Sequence, residues 1–206
     1  MSDVRPHADP AQPATAPTPA IADPGPLGLA AFALTTFILS MFNSGLVSEA
    51  GEPVVLGVAL AYGGLAQLLA GMWEFKTGNT FGALAFTSYG AFWLSFWALV
   101  AFYAKDIPEA DTGHAIGLYL IAWGIFTAYM FVASLRTTAA IATVFALLTV
   151  TFLLLGIGDA GGSSGLTKVG GYVGLLTAIA AWYTSFAGVT NATFKRVVLP
   201  VVPLAR

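Results

Sequence analysis

Eight Lys and Arg and ten Asp and Glu are all the charge this 206-residue chain carries, and their placement leaves six long charge-free stretches at residues 24–48, 53–73, 77–104, 112–135, 137–158 and 169–194. Crossing a hydrocarbon core of ~30 Å takes roughly 20 helical residues, and each stretch is long enough. The sequence therefore predicts an all-α membrane protein, a bundle of six transmembrane helices. A charged fraction of 9% and a mean hydropathy of +0.81 exclude a soluble globular chain, in which about a quarter of residues are charged. A membrane β-barrel needs ~10-residue segments that alternate polar and apolar, and runs such as 118–126 do not alternate.

The connections between stretches are short, which leaves no room for a catalytic domain outside the membrane; the reading is not an enzyme. Without Cys there is no thiolate metal site or thiol nucleophile, and two His offer little to a metal, so no cofactor is expected. A net charge of −2 without a basic cluster argues against nucleic acid as a partner. Residues 1–22, with five Pro set among Ala and Thr, read as a disordered, uncleaved tail, because a signal peptide would need an apolar run that is missing here. Residues 23–200 form the membrane domain and 201–206 a short C-terminal tail.

Lys and Arg set the expected orientation. If the N-terminal tail and the even-numbered loops share a side, that side holds Arg5, Lys76, Arg136, Lys195, Arg196 and Arg206, and the other only Lys105 and Lys168. Both termini are then cytoplasmic in a multi-pass protein of the cytoplasmic membrane.

Within the stretches the polar residues are few. Asp23-Pro24 has the form of a helix start, Asp accepting from first-turn N–H groups and Pro tolerated at the first position. This turn either caps a helix at the surface or lines a cavity. Gly63, Gln67 and Gly71 share a face of the second helix near Tyr62 and Glu74. The glycines suit close helix contact. Gln67 must bond a neighbour or something in a pore. Glu74 and Lys76 read as interfacial charges. Gly78-Asn79-Thr80 joins helices two and three; Asn79 or Thr80 can cap helix three, whose first turn could also face an anion. The third helix aligns Phe86, Tyr89, Phe92, Trp93, Phe96 and Trp97, and the fourth Tyr119, Trp123, Phe126, Thr127 and Met130. Tyr89 falls near mid-membrane, where its hydroxyl needs a partner, and is the better pore candidate. Inside the charge-free stretches nothing offers a fixed counter-ion, so a small, weakly hydrated or readily protonated solute fits best.

These residues closely resemble the acetate uptake transporter family, the succinate–acetate permeases. Its N-terminal signature reads Asn-Pro-Ala-Pro-Leu-Gly-Leu; Asp23-Pro24-Gly25-Pro26-Leu27-Gly28-Leu29 matches at five of seven positions. Further matches are Thr35-Thr36, Asn43 with Gly45, Tyr62-Gly63-Gly64 with Gln67, Ala70-Gly71 with Glu74, Gly78-Asn79-Thr80-Phe81-Gly82, and Phe86-Thr87-Ser88-Tyr89-Gly90 with Phe92-Trp93. The resemblance implies six helices per subunit, a homo-hexamer with one pathway in each protomer, and passage of acetate and other short carboxylates such as succinate, linked to protons. It also implies a narrow neck that maps here to Phe32, Tyr89 and Leu148; Asn43, Tyr62, Gln67 and Thr127 are read beside it as further pathway residues. Asp23 replaces the family Asn and puts a negative charge near where an anion would pass. A channel for a small neutral solute such as urea or a short amide is the competing reading, and a structural or sensory membrane protein a third.

Overall fold

The computed structural model describes residues 21–204. The tail expected to be disordered, residues 1–22, lies almost wholly outside them. Among the described residues six helices are long and apolar enough to cross a membrane: α1 (Gly25–Asn43), α2 (Val54–Thr77), α3 (Thr80–Asp106), α4 (Glu109–Ser134), α5 (Ala139–Ala160) and α6 (Ser164–Phe194). They coincide with the six charge-free stretches, but the helices run on past the charges. Glu74, Lys76, Lys105, Asp106, Glu109, Asp111, Asp159 and Lys168 all sit in terminal turns. A charge ends the apolar segment without ending the helix, because a terminal turn at the interface can hold its charge in water or in a vestibule.

Neighbouring helices follow the order α3, α2, α1, α6, α5, α4, and α4 closes the ring lightly on α3. Small residues let backbones touch where the packing is tightest. A Cβ on Gly117 of α4 would lie 2.7 Å from the carbonyl oxygen of Gly156 on α5, and one on Gly90 of α3 would lie 2.6 Å from the Leu68 amide on α2. Gly63 and Gly71 lie against Thr35 of α1 and Thr87 of α3, the close contact their spacing suggested. Where α3 and α4 stand apart, rings fill the space: Phe92 stacks on Tyr119 at 5.7 Å and meets Trp123 at 5.3 Å, while Tyr89 meets Phe126 edge-on at 5.5 Å.

Two helices widen into π turns, at Ala59–Ala66 in α2 and Leu99–Tyr103 in α3. Beyond the first, Gln67, Ala70, Gly71 and Glu74 form a continuous buried face. After α6 the chain folds back, with no extended strand among the described residues. Asn191 Oδ1 accepts from the Val198 and Leu199 amides at 2.7 and 3.0 Å, Tyr183 donates to Pro200 O at 2.6 Å, and residues 202–204 pair with Thr137 to Ala139.

Candidate functional site

Two cavities enter the ring from opposite helix ends. The upper one, about 190 Å³, is walled by the Asn43 half of α1, by α3 and by α5; Thr36, Ser40, Asn43, Trp93, Tyr119 and Thr151 supply its polar groups, and Glu52 and Asp159 its carboxylates. The lower one, about 250 Å³, lies at the α1 start and includes Asp23, Glu74, Asn79, Thr138, Thr184 and Asn191. Between them sits a void of only about 20 Å³ lined by Leu29, Phe32, Gln67, Ala85, Phe86, Tyr89, Val144, Phe145 and Leu148. Phe32 and Leu148 belong to its wall and to the upper cavity; Leu29, Ala85, Phe86 and Phe145 belong to its wall and to the lower one. Phe32, Tyr89 and Leu148, drawn from three helices, thus meet at a constricted level between the two cavities.

Tyr89 is 3% exposed and its ring lies 5.7 Å from Phe32 and 6.0 Å from Phe145. Its hydroxyl faces α4. Thr127 Oγ1 donates to Trp123 O at 2.7 Å, which uses its single hydrogen, so the 2.9 Å contact with Tyr89 has Tyr89 donating to Thr127. The sequence suggested a tyrosine hydroxyl turned to the pore; the structure commits that hydrogen to Thr127 and leaves the ring at the constriction. Thr127, fully buried, holds the ring from behind and lines none of the three cavities.

Gln67 is 1% exposed, lines the constriction, and its Oε1 has no hydrogen-bond partner among the described residues. It is the polar side chain at this level that stays uncommitted within the protein. Asn43 lies in the upper cavity. Tyr62 is half-buried in the α2 π turn and lines none of the three.

The N-terminal signature is divided. Asp23, Gly25, Pro26 and Leu29 line the lower cavity. Pro24 is buried, Leu27 is exposed, and Gly28 fits against the Phe86 ring, which a Cβ would approach to 2.6 Å. Asp23 Oδ1 accepts the Gly25 amide at 2.8 Å, and Pro26 O accepts from Ser185 of α6 at 2.6 Å. Asp23 stands one residue before the N-cap position, Pro24, and satisfies the first helical amide from there, and the turn also faces a cavity.

Glu74 departs from the interfacial charge expected. It is 2% exposed, with Oε2 accepting from Thr77 at 3.1 Å and from Asn79 Nδ2 at 3.0 Å. The reason is the tight link below α2. Gly78 ends that helix in the left-handed conformation at φ 79°, which turns Asn79 back under Glu74, and Asn79 Oδ1 then accepts the Gly82 amide at 3.0 Å to cap α3. Thr80, the first residue of α3, is exposed. No group of three or more metal-ligating side chains occurs among the described residues.

Glu52, Asp159, Trp93 and Thr36 also wall the upper cavity, a role that their sequence positions alone did not indicate. Thr36 and Trp93 carried a signal as motif matches, whereas Glu52 and Asp159 had only their position beside a helix end.

Comparison with known proteins agrees with this architecture. Ammonia transport outward protein 2 of Saccharomyces cerevisiae is 44% identical over 198 residues, 93% of this chain and 69% of that protein. The succinate-acetate/proton symporter SatP of Escherichia coli K12 is 40% identical over 181 residues, 88% of this chain and 95% of that protein. The solved structure of the bacterial acetate channel SatP aligns with a TM-score of 0.83 at 40% identity, covering 88% of this chain and 99% of that one. The description of one family fits residues 7–206, nearly the whole sequence, and the fold is shared with that solved relative. The chain belongs to the GPR1/FUN34/yaaH family.

Proposed function

We propose that the protein carries acetate, and other short carboxylates such as succinate, across the cytoplasmic membrane through the two cavities and the constriction between them. The observation that carries this reading is the meeting of Phe32, Tyr89 and Leu148 at a void of about 20 Å³ between two larger cavities, with the Gln67 amide in the same wall. An apolar ring, a leucine and one amide match a solute with one methyl and one carboxyl group. A hydrated anion would have to shed most of its water there and meets no cation at that level, which favours passage of a solute accompanied by a proton. Two relatives with acetate in their names support the substrate class.

The Lys and Arg asymmetry supports a topology with both termini cytoplasmic. Large apolar side chains on the outer faces of α4 and α6, among them Leu118, Ile125, Leu176 and Phe186, suit lipid and neighbouring copies alike, and we assign the family's homo-hexamer to this chain on that basis and on the resemblance.

The uncharged constriction and the ammonia named in one relative favour, as a second reading, a small neutral solute. Purified protein in liposomes, assayed in parallel with labelled acetate, urea and methylammonium against empty liposomes, decides between them. Acetate uptake above the empty-liposome rate that rises as pH falls is expected. Uptake of urea or methylammonium without acetate would replace the first reading with the second.

A further inference from the structure

Resting on the reading of acetate passage, we propose that Glu52 and Asp159 form a titratable screen in the upper cavity, excluding the acetate anion when charged and admitting it when they take up a proton. The two side chains come from distant parts of the chain, the segment before α2 and the last turn of α5, yet both line the cavity that leads to the Phe32 and Leu148 level. Both are half-buried. Glu49 lies beside Glu52 in one groove at this mouth and shares a second, with Asp159 and Lys168, on the rim. Three carboxylates and one ammonium thus surround the opening.

The remaining groups facing the pair do not neutralise it. From α6, Thr167 donates to Asp159 Oδ1 at 3.3 Å, while exposed Lys168 lies with its stem against the Gly45 turn. From α4, the titratable group on the cavity wall is Tyr119, whose hydroxyl is bonded to Ser95 and to Phe92 O. From α3, the wall is Phe92, Trp93, Phe96, Leu99 and Val100, and from α1 it is uncharged. On the cavity wall itself the charged groups are Glu52 and Asp159, and a cleft of low-dielectric walls carrying net negative charge focuses its field into the passage, lowering the local concentration of a like-charged solute. Burial pushes the Glu52 carboxyl above its usual range, and neighbouring Glu49 and Asp159 push it further the same way. The screen therefore discharges at a milder acidity than a solvated carboxyl would.

The test is acetate flux down a concentration gradient into liposomes buffered to the same pH on both faces, from pH 5 to 7.5, with the empty-liposome rate subtracted. Glu52→Gln with Asp159→Asn keeps the shapes and the acceptor for Thr167. At neutral pH the double variant should carry acetate severalfold faster than the unaltered protein, with a flattened pH profile and an unchanged rate at the acidic end. Lys168→Gln, which removes the cation from the same mouth, should shift the profile oppositely and slow neutral-pH flux. A double variant with the steep profile of the unaltered protein would overturn the screen while leaving acetate passage standing. Loss of acetate flux from the unaltered protein itself would overturn both.

Discussion

Removing the Thr127 hydroxyl should harm the protein more than removing the Tyr89 hydroxyl, although each change deletes the same hydrogen bond. In Tyr89→Phe, Thr127 keeps its 2.7 Å bond to Trp123 O and no polar group is left without a partner. The loss is one interhelical bond, about 0.6–1.5 kcal/mol. In Thr127→Val the Tyr89 hydroxyl loses its 2.9 Å acceptor inside a site where the side chain is 3% exposed. An unpartnered buried hydroxyl costs about 1–3 kcal/mol. Adding Tyr89→Phe to Thr127→Val should then restore stability, because the stranded group is gone. Thermal unfolding in detergent, followed by Trp fluorescence, reads the order directly; at ~2–4 °C per kcal/mol for a chain of this size the single variants should separate by a few degrees. Acetate uptake should survive Tyr89→Phe, since the ring at the constriction is unchanged. Equal or smaller damage from Thr127→Val, or simple additivity in the double variant, would refute the assignment of donor and acceptor.

Asn79→Ala should cost more than the ~1 kcal/mol of a lost helix cap, because Asn79 also donates to buried Glu74; comparing its unfolding temperature with that of Asn79→Asp, which keeps the cap alone, measures the part due to Glu74. Asp23→Asn keeps the acceptor for the Gly25 amide while removing a charge from the lower cavity; initial rates at neutral pH should rise for acetate and stay level for a neutral solute. Glu52 has a raised carboxyl pKa, so the folded state binds its proton more readily than the unfolded chain does. Its contribution is most favourable at pH below the ordinary carboxyl value and is lost as pH rises through the raised one. Glu52→Gln should accordingly raise the unfolding temperature at neutral pH and leave it unchanged near pH 4.

The six helices were legible because charge is so costly in a bilayer that its positions alone mark the segments, and the small-residue contacts of Gly63 and Gly71 followed from helical spacing. Tyr89 could be picked out by its depth. The direction of its hydroxyl could not, because that depends on how α4 sits against α3. Glu74 was misread for a related reason. Its place beside an apolar run suggested an interfacial charge, but the left-handed turn at Gly78 folds the exposed Asn79 back under it, so that the carboxylate is buried and hydrogen-bonded rather than solvated. Glu52 and Asp159 lie more than a hundred positions apart, and only the closing of the ring brings them to one wall.

Whether Phe32, Tyr89 and Leu148 set the width of the passage is decided by the ratio of lactate to acetate uptake in Leu148→Ala against the unaltered protein, at equal amounts in liposomes. Leu148 is buried, and its side chain walls both the constriction and the upper cavity, so truncation opens the level at which the void is only about 20 Å³. Because the leucine is in the core, about 2–5 kcal/mol of stability is at risk, and the ratio of two substrates cancels any loss of folded protein. Lactate should gain on acetate in the variant. An unchanged ratio with acetate uptake retained would contradict it.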